Sequence, residues 1–347
     1  MKANTKAFGR TQNGQEALLY EISNTEGMQV KITNLGATIT SIKTPDRDGN
    51  SEEIVAGFSQ LKPYLQNNFY FGSTIGRYAN RIDRGALPVN ETLFQLPINN
   101  CYNHLHGGSN GFHAQLWDGK LEVKSHSATL SLTLHSPHLQ EGYPGNIKAM
   151  VQYTLHSHNQ LDITYEVITD RPTHINLTNH TYFNLSSFKE KIHSHDLYIS
   201  ANQLLDTNSQ GIPTGKMRST KGTPFDFSHN QKLSKLRVEK FELDHCYVFN
   251  QPYNNNSPQI ILTHKTSGRR MKVSSTQPGV QIYTANKLDG SITGHNGIQY
   301  QKHHAICLET QHFPDTPNQP AFPSTLISPN KNYRQQIQWI FDVCPSH

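Results

Sequence analysis

Apolar and polar side chains alternate with a period of two along most of the chain. In the stretch 161–167, Leu161, Ile163, Tyr165 and Val167 fall on one face of an extended segment, while Asp162, Thr164 and Glu166 fall on the other. The stretches 128–134, 147–155, 259–263 and 280–284 show the same alternation. Turn formers separate these runs: Asp46 to Asn50, His158 with Asn159, and Ser267 with Gly268. Such a pattern predicts antiparallel strands, each with one buried face. Two short stretches, 59–66 and 229–238, have helical periodicity. The spans 69–111 and 185–227 are irregular and rich in Asn, Gly and Pro, and loops of that length inside a compact domain usually carry function. No composition break marks a linker and no repeat is present. The expected fold class is all-β, a large twisted β-sandwich forming one domain over 1–347, with loops gathered around a site.

Composition narrows the functional classes. The 347 residues suffice to bury a large core without staples. The formal charge of +5 is small and its basic residues are scattered. The tightest cluster, Arg269, Arg270 and Lys272, reads as a hairpin tip with a solvated flank, so no nucleic-acid partner is expected. The first twenty residues are polar and contain no apolar run of a secretory signal. No window approaches the roughly 18 apolar residues of a membrane helix, so no membrane partner is expected either. Cys101, Cys246, Cys307 and Cys344 lie far apart without a CxxC pair. They read as free thiols of a reducing, cytoplasmic setting.

The twenty histidines are the compositional oddity. Three His-x-His pairs (His104 with His106, His156 with His158, His193 with His195) raise the question of a metal, because residues two apart on a strand share a face. A metal also requires converging carboxylates or a third His. The pairs 156/158 and 193/195 read as solvent-exposed, and no metal is expected. The run 173–185, THINLTNHTYFNL, concentrates amides, imidazoles and aromatic rings. Those groups suit a sugar, and equally a strand ending in an Asn-stabilised turn. In the near-apolar run 305–311, Glu309 shares a face with Cys307 and Gln311. A carboxylate there either faces solvent, forms an internal ion pair or serves a site. The paired Gly107 and Gly108 allow a sharp turn or close backbone approach.

Taken in order, GRYANRI (76–82), LHGG (105–108), LTNHTYFNL (177–185), DHCY (244–247), QPGVQIYT (277–284) and CLETQ (307–311) resemble the aldose 1-epimerases, or galactose mutarotases. The resemblance runs from Asn34 to the Pro-rich tail near Pro320. It implies a galactose mutarotase-like supersandwich holding a sugar in a groove on one sheet. Carried over residue by residue, it makes His180 the general acid and Glu309 the general base. It places Asn80, Arg81, His106, Tyr182, Asp244 and Gln281 in the sugar site. Phe313 stands where the family often has Trp. The implied activity interconverts the α and β anomers of free aldohexoses such as D-galactose and D-glucose, without a cofactor. The partner is then a free aldose; which aldose is preferred, and the oligomeric state, are not legible.

Three rivals share parts of this pattern. A non-catalytic carbohydrate-binding protein needs the amides and aromatics but not both His180 and Glu309. A hexose-6-phosphate mutarotase needs basic residues placed for a phosphate. A metal-dependent β-barrel enzyme would be built on the His pairs.

Overall fold

The computed structural model describes residues 1–66, 69–251 and 257–344. Three antiparallel sheets dominate. A five-stranded meander runs Lys2–Arg10, Glu16–Ser23, Gln29–Thr33, Thr38–Pro45 and Ser51–Glu53. A nine-stranded sheet is ordered Asp118–Val123, Ser127–Ser136, Ile147–His156, Gln160–Thr169, Tyr333–Val343, Arg269–Ser275, Ile260–His264, His195–Ile199 and Gln231–Lys232. A six-stranded sheet is ordered Tyr182–Phe183, Ile306–Gln311, Gly279–Tyr283, Asp244–Val248, Gln203–Thr207 and Pro213–Ser219. No helix of the described residues is long and apolar enough to cross a membrane. All four cysteines are free.

The alternation seen in the sequence is the burial pattern of the long strands. Along Gln160–Thr169, Leu161, Ile163, Tyr165 and Val167 are buried and their neighbours are partly exposed. Their buried face meets Ile22, Val30 and Ile32 of the meander and Val280, Ile282, Ile306 and Leu308 of the six-stranded sheet in one core. That leaves the opposite face of the six-stranded sheet for Gln281, Tyr283, Cys307 and Glu309. Loops cover this face too, so every residue of Ile306–Gln311 and Gly279–Tyr283 is buried.

Several expectations need correction. The 59–66 stretch winds only into a 3-10 turn, Lys62–Gln66. Of 229–238, only Lys235–Val238 is α-helical, because Gln231–Lys232 pairs with the strand His195–Ile199 as its edge. Arg269 is no solvated flank: it is 2% exposed and donates to the carbonyls of Thr44, Leu185 and Asn50. Its neighbours Arg270 and Lys272 both bind Asp342. His195 is likewise buried, its Nε2 accepting from the Leu185 N–H at 2.9 Å. Several of the twenty histidines are such neutral connectors. His104 joins the Pro97 carbonyl to the Tyr143 hydroxyl, and His174 joins Pro88 to Thr325.

Candidate active site

The floor of the site is set by strand register. Asp244, Tyr283, Cys307 and Tyr182 form one cross-strand row; Cys246, Gln281 and Glu309 form the next. Directly opposed residues share a face, so two rows of polar side chains project together. His180 comes from outside this sheet. The segment Thr178–Asn179 pairs with Thr74–Ile75, and the His180 main chain is pinned by Ser73 and Gly72, both at 2.9 Å. Gly72 has φ +67°, and a Cβ there would meet the Ile39 carbonyl oxygen at 1.9 Å, so the pinning turn requires glycine.

The loop GRYANRI delivers Asn80 and Arg81, and LHGG delivers His106. The strands His104–Leu105 and Arg81–Ile82 pair, bringing the two loops together. Gly107, at φ +81°, crosses so close to Gly76 that a Cβ would lie 1.8 Å from its carbonyl oxygen. The paired glycines thus provide both the turn and the close approach expected of them. Asn80 N–H donates to His106 Nδ1 at 3.2 Å, which leaves the proton of the neutral ring on Nε2.

All eight residues expected in the site line one cavity of about 360 Å³. At its base His180 Nε2 stands 3.6 Å from Glu309 Oε1, with side chains only 7% and 2% exposed. Among the described residues, Glu309 Oε2 is buried without a hydrogen-bond partner, as is Arg81 Nε. A buried polar atom left unpaired costs roughly 1–3 kcal/mol. Both atoms are therefore suited to a polar ligand. Higher in the cavity, Gln281 Nε2 donates to Asp244 Oδ1 at 2.7 Å, and Arg81 lies 3.9 Å from Asp244. Tyr182 stacks on His180, ring centroids 5.0 Å apart at 20°. Phe313 does not line the cavity; it packs with Leu205, Cys246 and Phe322.

Burial governs the ionisation of the pair. It pushes the His180 imidazole down to about 4, against a smaller upward pull from Asp244. It lifts the Glu309 carboxyl well above the usual carboxylate range, an effect Asp244 reinforces and Arg81 opposes. Burial thus disfavours the charged form of both groups.

Residues beyond the sequence-based set also line the cavity. Tyr70 packs edge-on against His106 and His113, each at 4.8 Å, and lies parallel to His180 at 6.0 Å. Tyr283 and Lys287 also line the cavity. The only signal for Tyr70 was its place on the long irregular span 69–111. Asn99, Asn100 and Ser109 of the same span line the mouth.

His106, His180 and Glu309 place ligand-capable atoms within 4.8 Å of one another. A metal would need the free lone pair of His106, but Nδ1 is occupied by the Asn80 N–H and Nε2 carries the ring proton. The remaining pair is too few for a site of three protein ligands. Among the His-x-His pairs, only His106 reaches this cluster.

The aldose 1-epimerase family model matches residues 18–339. The chain belongs to the aldose 1-epimerase family. It is 38% identical to galactose mutarotase of Sus scrofa over 340 residues, covering 97% of both chains. It is 30% identical to aldose 1-epimerase of Escherichia coli over 342 residues, covering 95% of this chain and 96% of that one. Galactose 1-epimerase from Lactobacillus acidophilus superposes with a TM-score of 0.86 at 27% identity, covering 99% of each chain. The aldose epimerase homologue from C. elegans superposes at 0.87 with 28% identity, covering 94% of this chain and 98% of that one. The architecture is thus the galactose mutarotase-like β-sandwich, and this aldose 1-epimerase is an isomerase.

Proposed function

We propose that this aldose 1-epimerase exchanges the anomers of a free aldohexose, such as D-galactose or D-glucose, with His180 as general acid and Glu309 as general base. The observation that carries the reading is the buried imidazole–carboxyl contact of 3.6 Å beneath a polar cavity. Ring opening removes a proton from the anomeric hydroxyl and adds one to the ring oxygen. A carboxylate and an imidazolium flanking that C–O bond do both. The open-chain aldehyde turns about C1–C2, His180 takes the proton back from the ring oxygen, and Glu309 returns one to O1 on the other face. No carbon skeleton or oxidation state changes, so the reaction calls for no cofactor.

The proton count supports the pair. Carboxylate with imidazolium, and carboxyl with neutral imidazole, hold the same number of protons. The first is the closed-ring state and the second the open-chain state. Burial favours the second in the empty site. Arg81, which lowers the carboxyl, favours the first, whereas Asp244 raises both the imidazole and the carboxyl and so favours the first through one partner and the second through the other. Arg81 thus draws the two states closer in energy. A positioned acid or base contributes about 10²–10⁴-fold, or roughly 3–5 kcal/mol per member.

The cavity wall suits a neutral sugar better than a phosphorylated one. Its cations are Arg81, which already faces Asp244, and the exposed Lys287. The free thiols accord with work in a reducing compartment such as the cytoplasm. Polarimetry on freshly dissolved α-D-glucose and α-D-galactose tests the reading: His180→Ala and Glu309→Ala should each lose most of the acceleration while remaining folded. Near-parental turnover in either variant refutes the roles.

A further inference from the structure

The proposed cycle requires His180 to exchange its proton at Nε2 alone, so something must hold the proton on Nδ1 throughout. We infer that Cys307 is a positioning residue for His180, its sulfur accepting the Nδ1–H so that Nε2 remains the proton-exchanging atom. The inference rests on the acid role proposed above for His180.

The geometry is set by one strand. Cys307 and Glu309 are two residues apart on Ile306–Gln311 and project from the same face. Cys307 Sγ lies 3.6 Å from His180 Nδ1, and Glu309 Oε1 lies 3.6 Å from Nε2. The imidazole therefore bridges two successive same-face positions, one nitrogen over each. Tyr182, directly opposite Cys307 in register, stacks on the ring and holds its plane. Cys307 is fully buried beside Glu309, and burial keeps its thiol protonated. A neutral sulfur is a weak acceptor. It fixes the direction of Nδ1–H without stabilising the imidazolium as a carboxylate in the same place would. The acid is left free to give up its proton. The main-chain carbonyl of His180 acts on the ring in the same sense.

The titratable or charged groups facing His180 are Glu309 and Cys307 on this strand, Tyr182 on its own segment, Asp244 and Tyr283 from the neighbouring strands, and Tyr70 and His106 from the loops. Among the described residues, Cys307 is the side-chain hydrogen-bond partner of Nδ1.

Two measurements test the assignment. In the unmodified protein, ¹⁵N chemical shifts of His180 at neutral pH should report protonated Nδ1 and unprotonated Nε2. Cys307→Ala should lower kcat about tenfold with KM little changed, as expected for loss of one hydrogen bond to a charged group. Its acid limb should move to lower pH, because the imidazolium loses an acceptor, and Cys307→Ser should restore both. The inference is overturned by an Nε2–H tautomer, by a Cys307→Ala variant with the parent's kcat and pH profile, or by equal losses in both variants with an unmoved limb. The tautomer is read without turnover. An active His180→Ala would therefore refute the acid role while leaving the orientation of the ring separately decided.

Discussion

Gln281 and Glu309 face each other directly across adjacent antiparallel strands. Gln281 also donates to Asp244 at 2.7 Å on the next strand. The base, an amide and a second carboxylate are thus spaced by backbone register rather than by flexible loops. Gln281→Ala removes the tether of Asp244 and one polar group of the cavity wall. KM for D-galactose should rise about tenfold, and kcat should fall much less, consistent with about 1–3 kcal/mol for a buried partner lost. Initial-rate polarimetry over a range of sugar concentrations checks it; an unchanged KM contradicts it.

The pH profile follows from the proton count. Turnover requires one proton on the pair. The acid limb marks arrival of a second proton, which burial of His180 holds down near 4. The alkaline limb marks loss of the single proton, which burial of Glu309 holds well above the usual carboxylate range. The profile of kcat/KM should be a broad bell whose two limbs belong to the pair jointly. A single-limbed profile would show that only one of the groups titrates in catalysis.

Acid stability should reflect the buried histidines. Burial depresses His104 and His174 to about 4, below an ordinary value of 6.5. Between those values the unfolded chain binds more protons than the folded one. Stability is then complete above pH 6.5 and declines as pH falls toward 4. The shift corresponds to on the order of 3 kcal/mol per group at the acid end. Melting temperature measured from pH 7 to pH 4 should drop steadily across this window, and a flat curve would argue against neutral burial.

Arg269 makes a separate test of the hairpin end. Its guanidinium serves the carbonyls of Thr44, Leu185 and Asn50 and faces Glu52 at 3.1 Å. Arg269→Ala strands these acceptors and should cost about 3–5 kcal/mol. Urea unfolding measures it; a loss below about 1 kcal/mol, the range of an exposed pair, would restore the picture of a solvated flank.

Arg269 also shows where sequence reading stops. Strands such as Gln160–Thr169 were legible because one face is wet and the other dry, so their chemistry alternates. Ile306–Gln311 is dry on both faces, and alternation alone left Glu309 with three possible environments. Only the motif order, through family resemblance, singled it out. His195 and Arg269 looked exposed because polar residues next to turns usually are. Here long-range carbonyls and N–H groups satisfy them inside the protein, and local sequence carries no trace of such partners. Tyr70 was hidden for the same reason: it reaches His106, His113 and His180 through tertiary packing of an irregular loop. The helical periodicity at 229–238 yielded to edge pairing with Asp196 and Leu197.

The central claim is that His180 and Glu309 act as one proton-exchanging unit. The most direct measurement compares mutarotation rates of α-D-galactose for His180→Asn, Glu309→Gln and the double variant. Each single variant should be slower by about 10²–10⁴-fold, and the double variant about as slow as the worse single one. Losses that multiply in the double variant, or a single variant close to the parental rate, would contradict it.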